Sequence, residues 1–160
     1  MIAQTLSNKN SEYQSEREKA LGLSDVFNEH EGRRPRILVA DASTKVSQRF
    51  NSMCSALADM GCNVDLAPKI LDLQEYAAQC LENDADILLL IVEKVSDKEQ
   101  LMKIQNLILP FSPDTILAIL FNDSNCCSKM DDTSKWLCFD HEINEVFIGK
   151  KLLNHLMTRP

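Results

Sequence analysis

The sequence predicts an α/β domain: a five-stranded parallel sheet with helices on both faces. Three observations carry this. Apolar runs of strand length recur along the chain, and the central one, Ile87 to Val92, has no polar alternation. That is the pattern of a strand covered on both faces. Between the runs, apolar residues recur at intervals of three and four, the period of a helix with one buried stripe. The runs and the helical stretches alternate with short links, and such alternation joins parallel strands through helical crossovers.

The elements follow in order. Residues 1 to about 22 are rich in Ser, Asn, Gln and Glu and offer little apolar surface to bury. They are expected to form a flexible or partly helical arm, disordered or loosely docked, in which a short helix from about Ser11 to Leu23 is the alternative. Residues 28–35 read as a polar linker that ends in the turn residues Gly32 and Pro35. The expected division is therefore 1–32, arm and linker, and 33–160, α/β domain. The first strand is Arg36–Asp41. Ser43 and Thr44 can cap the next helix, whose stripe is Val46, Phe50, Met53, Leu57 and Met60, with Gly61 as its stop. Asn63–Ala67 reads as the second strand. Leu73, Tyr76, Ala77, Cys80 and Leu81 mark the second helix of the domain, Asp86–Val92 the third strand, and Leu101, Ile104, Leu107 and Ile108 a helix ending before Pro110. Thr115–Phe121 is the fourth strand. Residues 122–134 are expected to loop, Ile143–Ile148 to form a short fifth strand, and Leu152, Leu153 and Leu156 a last helix. This is a flavodoxin-like (Rossmann-like) order. Ligands in such sheets sit beyond the carboxyl ends of the strands, here Asp41–Lys45, Pro68–Leu71, Glu93–Asp97, Asn122–Cys127 and Gly149–Lys151.

The totals narrow the function. A chain of 160 residues fits one domain plus a tail and can bury a core without disulfides or metal. A net charge of −7 argues against nucleic acid and against anionic membranes as partners. No apolar run approaches the ~20 residues that span a bilayer, and neither a secretory signal nor a transit peptide is expected at the N-terminus. The six cysteines, Cys54, Cys62, Cys80, Cys126, Cys127 and Cys138, include no C-x-x-C pair, so neither zinc nor a redox site has support. They read as reduced thiols of a cytoplasmic protein, with Cys126 and Cys127 in a polar loop.

Dedicated chemistry is sparse. The loop after the first strand carries no glycine, which excludes the phosphate-cradling motifs. No G-x-S-x-G elbow marks a nucleophile, and His30, His141 and His155 read as exposed loop or terminal residues. No catalytic residue and no metal ligand is assigned. If the crevice serves a small ligand, its candidate residues are Asp41, Glu93, Asn122 and Lys150. The cluster Arg33, Arg34 and Arg36 reads as flanking the first strand, and Asp131–Asp132 and Lys150–Lys151 as solvated faces. Trp136 reads either as a partner anchor or as a cover for the core's edge.

Several segments carry a resemblance. Gly32-Arg-Arg-Pro-Arg-Ile-Leu-Val-Ala40, Ala58-Asp-Met-Gly61, Asn63-Val-Asp-Leu-Ala-Pro68, Gln74-Glu-Tyr-Ala-Ala-Gln79, Pro113-Asp-Thr-Ile-Leu117 and Glu145-Val-Phe147 are similar to the C-terminal cobalamin-binding domain of methylmalonyl-CoA mutase. The resemblance covers about residues 28–158. In that family the loop after the first strand carries D-x-H-x-x-G: the His ligates cobalt and the Asp holds the far ring nitrogen, an outer contact that sets tautomer and basicity. Here the loop Asp41 to Phe50 is shorter by about one residue. The Asp position falls on Thr44 or Lys45, the His position on Val46 or Ser47, and the Gly position on Arg49 or Phe50. The family's Ser and Leu at the third strand's end are replaced by Ile91-Val-Glu93, its paired glycines after the fourth strand by Phe121-Asn122, and its last G-x-G is reduced to Gly149.

The resemblance implies a cobalamin-binding-like domain that has lost cobalamin ligation, with no cofactor of its own. The function expected is non-catalytic: a protein-interaction, subunit-like or regulatory domain whose partner is a mutase-type enzyme or a second copy. Two alternatives stand beside it. One is a small-ligand binder or enzyme using the repurposed crevice. The other is a degenerate receiver-like signalling domain, with Lys150 imitating the receiver lysine but Val92 and Glu93 standing where the phospho-accepting Asp belongs.

Overall fold

The computed structural model describes residues 2–43, 48–68, 74–93, 98–121 and 134–159. The elements run α1 (Ile2–Glu31), β1 (Arg36–Asp41), α2 (Gln48–Asp59), β2 (Asn63–Leu66), α3 (Gln74–Glu82), β3 (Ile87–Val92), α4 (Lys98–Ile108), β4 (Ile116–Phe121), β5 (Trp136–Phe139) and α5 (Glu145–Thr158). The strands form one parallel sheet in the order β2-β1-β3-β4-β5. The flavodoxin-like α/β reading therefore holds.

Parallel strands covered on both faces need apolar side chains at every position, and the period of two sorts them onto the two faces. In β3 all six residues are buried. Ile87, Leu89 and Ile91 enter one core with Ile37, Val39, Ala118 and Leu120, under α2, α5 and the second half of α1. Leu88, Leu90 and Val92 enter the other with Leu38, Ala40, Leu117, Ile119 and Phe121, under Tyr76, Ala77 and Cys80 of α3 and Leu101, Ile104 and Ile108 of α4.

Two expectations are corrected. The fifth strand is Trp136–Phe139, not 143–148. Asn144 instead caps α5: its extended backbone and its side-chain oxygen, which accepts from Val146 N at 2.8 Å, meet a free amide of the first turn. From there Val146, Gly149, Leu152, Leu153 and Leu156 recur at helical spacing on the buried face. Trp136 is buried on β5 and donates its ring N–H to Leu101 O at 3.1 Å; it covers the core's edge.

The second correction concerns the N-terminal segment. α1 is a single helix through Glu31, longer than the 11–23 expected, and it takes in half of the supposed linker. Its stripe Ala20, Ser24, Phe27 is buried against α5 and the α2–β2 turn. Ser24 Oγ donates to Met60 O at 2.6 Å, which satisfies a turn carbonyl left over at the end of α2. Leu21 and Ser24 press on Gly61, whose φ is +84° and where an added Cβ would meet Leu21 Cδ1 at 2.9 Å. Two ion pairs pin the helix: Glu16 with Lys150 of α5, and Asp25 with Arg34.

Candidate functional site

In a sheet of order 2-1-3-4-5 the chain turns to opposite sides after β1 and after β3, so the crevice lies between the carboxyl ends of those strands. Asp41 and Glu93 stand there. Asp41 is the last residue of β1 and is in register with Ile91 of β3; Glu93 lies two residues farther on. The structure therefore brings these two predicted residues to neighbouring strand ends. Asp41 Oδ1 accepts from the backbone N of Ser43 at 3.0 Å and from Ser43 Oγ. Its carboxylate shapes the turn out of β1.

Of the other predicted site residues, Thr44, Lys45, Val46, Ser47 and Asn122 lie outside the described residues. Lys150 is placed elsewhere than expected. With β5 ending at Phe139, the fifth strand end is the turn Asp140–Asn144, not 149–151. Lys150 sits in the second turn of α5 and pairs with Glu16 of α1. It ties two helices together and is not a group of the crevice.

Arg49 is the residue whose role the sequence did not reveal. It is half-buried in the first turn of α2. Its guanidinium donates to the carbonyls of His141 (2.7 Å) and Ile143, and lies 3.4 Å from Glu145 Oε1. Two carbonyls of the β5–α5 turn are thus held by one side chain from the β1–α2 side, with the Glu145 carboxylate beside it as an ion pair. Guanidinium forks are suited to such multiple acceptors. Phe50, beside it, packs against the core under α2 and α5.

On that same face Gly149 brings α5 onto α2. A Cβ at Gly149 would lie 2.1 Å from Met60 Cε, 2.8 Å from Met60 Sδ and 3.4 Å from Leu57 Cδ2. The space that the glycine leaves is filled by the fully buried Met60. Phe121 is fully buried on the opposite face, in the core under α3 and α4, so its bulk does not line the α2–α5 side.

The arginine cluster sits at the other end of the sheet. Arg33 grips Asp86 with both nitrogens (2.7 and 2.9 Å), and Asp86 Oδ2 also accepts from Arg36 N at 2.8 Å. Burial pushes the Asp86 carboxyl up, but the bonds from Arg33 and from the Arg36 amide, with the charges of Arg33 and Arg159, outweigh it and hold the group below its usual range. The hydrogen bond to Asp86 correspondingly raises Arg33.

Cys54, Cys62, Cys80 and Cys138 are free thiols. Burial pushes Cys54 and Cys62 up to about 11 and Cys80 to about 12, far from the thiolate a reactive cysteine needs. Among the described residues no group of His, Cys, Asp and Glu has the geometry of a metal site, and no helix is long and apolar enough to cross a membrane.

No family model matches the chain. A segment of 71 residues, 44% of this chain, is 42% identical to the methylmalonyl-CoA mutase large subunit of Streptomyces virginiae and 37% identical to that of Propionibacterium freudenreichii subsp. shermanii. The match takes in 10% of each of those subunits. This chain therefore contains a segment related to methylmalonyl-CoA mutase large subunits, within a parallel α/β fold, and corresponds to a small part of their length.

Proposed function

We propose that the chain is a cobalamin-binding-like domain in which ligation of cobalamin has been lost, and that it acts through protein contacts, as a subunit-like or regulatory partner of a mutase-type enzyme. The observation that carries the reading is the commitment of Arg49. In the resembled motif D-x-H-x-x-G, the glycine falls on this position or on Phe50. Here a guanidinium occupies it and is bonded to the β5–α5 turn. The fit of cobalamin to the remaining residues is poor on two further counts. No histidine occurs between Asp41 and Phe50, so cobalt has no imidazole in the expected loop. The glycine left on α5 faces Met60 instead of open space. A bulky tail cannot enter a core packed at crystal density without displacing side chains.

Among the described residues of the crevice, Asp41 is engaged in its own turn, where it accepts from the backbone N and the Oγ of Ser43. What the chain offers is a rigid sheet whose faces are filled by its own helices, a scaffold for binding surfaces.

The experiment is a visible-absorbance titration of the purified protein with hydroxocobalamin and adenosylcobalamin, followed by gel filtration. The expected result is no spectral change and no co-elution. A stoichiometric spectral shift that survives gel filtration overturns the lost-ligation reading. For the partner, affinity purification from the native cell should recover a mutase-type enzyme in stoichiometric amount; a monomer eluting alone overturns the interaction reading.

A further inference from the structure

Opposite the crevice, at the amino-terminal ends of β1, β3 and β4, lies an open cavity of about 370 Å³ lined by Arg33, Arg36, Asp86, Ser112, Thr115 and Arg159, with Asp84 and Asp114 at its rim. We propose that this cavity binds a phosphate group, through Arg36 and Arg159 with a hydroxyl of the Ser112–Thr115 pair.

The charges are built around one buried carboxylate. Asp86 is 5% exposed and is met by the two terminal nitrogens of Arg33, by the Arg36 amide, and by Arg159 Nη2 at 3.6 Å. One negative charge faces three half-buried guanidinium groups, and Arg33 takes both of its oxygens. Arg159 spends Nη1 on Asp114 O at 3.0 Å. The Arg36 side chain makes no hydrogen bond or ion pair with any described residue. Its five donors are therefore left unsatisfied by the described residues. Asp84 and Asp114 are exposed, so water and salt screen them far more than the half-buried arginines. The three guanidinium groups and three carboxylates of the lining cancel formally, and with Arg33 committed to Asp86 the group left to meet an anion is Arg36, with Arg159 beside it.

The hydroxyls complete the set. Ser112 Oγ and Thr115 Oγ1 are 2.6 Å apart. One O–H donates to the other, and the second remains to donate outward. A guanidinium fork with a hydroxyl donor matches the tetrahedral, multiply accepting geometry of a phosphate dianion, and Arg is the side chain suited to bind it bidentately. The cavity exceeds one phosphate in volume, so the group can arrive either as the free ion or on a small phosphomonoester.

The proposal is independent of the cobalamin reading, because its residues lie at the other end of the strands. The test is isothermal titration calorimetry of the full chain with inorganic phosphate and, separately, glycerol phosphate, with chloride holding ionic strength constant. Saturable binding is expected for at least one probe. Stronger binding of glycerol phosphate identifies a phosphomonoester site, and equal or stronger binding of inorganic phosphate a free-ion site. Arg36→Gln should weaken binding about tenfold or more, the effect of losing a charged hydrogen-bonding group. It should leave the melting temperature intact, because the Arg36 side chain holds nothing within the fold. Lys103→Gln, on the exposed side of α4, should leave binding unchanged. Absence of saturable binding, or equal binding by Arg36→Gln, overturns the proposal.

Discussion

Gly149→Ala tests whether the α2–α5 interface is closed by the chain's own side chains. In an ordinary helix this substitution stabilises by about 0.5–1 kcal/mol, because alanine restricts the unfolded chain and favours the helix. Here the new methyl would lie 2.1 Å from Met60 Cε and 2.8 Å from Met60 Sδ. Methionine ends are flexible, but Met60 is fully buried and Leu57 stands next to it, so its tip must move into occupied space. Overpacking of this kind costs about 1–3 kcal/mol. The two terms leave a net loss of about 1–2 kcal/mol. In a Met60→Ala background, itself weakened by about 2–5 kcal/mol, the obstacle is gone, and the same change should stabilise by its full helical gain. The sign inverts between backgrounds, with a coupling of about 2 kcal/mol, within the range found for residues in contact. Urea unfolding of the four proteins measures it. A Gly149→Ala that stabilises both backgrounds equally refutes the packing argument, and with it one support for the lost cobalamin slot.

The other predictions concern α1 and the buried carboxylate. Phe27→Ala removes the largest buried side chain of α1, 3% exposed and under Arg33 at 5.3 Å from its ring centroid; it should cost about 3–5 kcal/mol, read as a lowered urea midpoint, whereas a cost below about 1 kcal/mol would mean that α1 is not part of the cooperative unit. Asp86 is held below the usual carboxylate range, so the unfolded chain takes up its proton first as pH falls. The stability it supplies is whole above about pH 4 and is lost as pH drops through the folded value. Asp86→Asn should therefore show a shallower acid limb than the parent when urea midpoints are compared from about pH 7 to pH 2. Parallel limbs would count against the charged network with Arg33 and Arg159.

The sheet was legible because the interiors of its central strands have no polar residue to confuse them. Arg36–Asp41 matches β1, and the runs at 86–92 and 115–121 match β3 and β4 to within a residue. The misreadings have physical causes. Trp136–Phe139 is only four residues long and follows a polar stretch, so it carries little signal as a strand. The dense apolar cluster after Asn144 imitates a strand over a few residues; only the spacing through Leu156 and the Asn144 cap reveal the helix. α1 was hidden by composition, since its buried stripe is one aromatic and two small residues in a polar background. The placement of Asp41 and Glu93 at neighbouring strand ends was legible from the strand pattern alone. Arg49 was not, because its partners are backbone carbonyls 92 and 94 residues away, and any residue type supplies a carbonyl.

Loss of a ligand site need not cost this fold its stability. Every side chain of β1, β3 and β4 that alternates between the two cores packs against helices of the same chain. In the proposed reading the ligand's former contacts come from strand ends and from the α2–α5 groove. The replacements there make internal bonds of their own: Arg49 satisfies two turn carbonyls, and Met60 occupies the groove beside Gly149. Filling a cavity and pairing orphan carbonyls both stabilise, so a domain freed from binding would be expected to drift toward such contacts. α1 works in the same direction, since Phe27, Ala20 and Ser24 cover the α5 side of that interface. In the proposed reading, a sheet that closes its own groove and backs it with α1 keeps its outline for contacts with other proteins while leaving no room for the corrinoid. Reopening the groove by Met60→Ala with Arg49→Gly should then lower stability without restoring cobalamin binding, because the loop still lacks a histidine to meet cobalt.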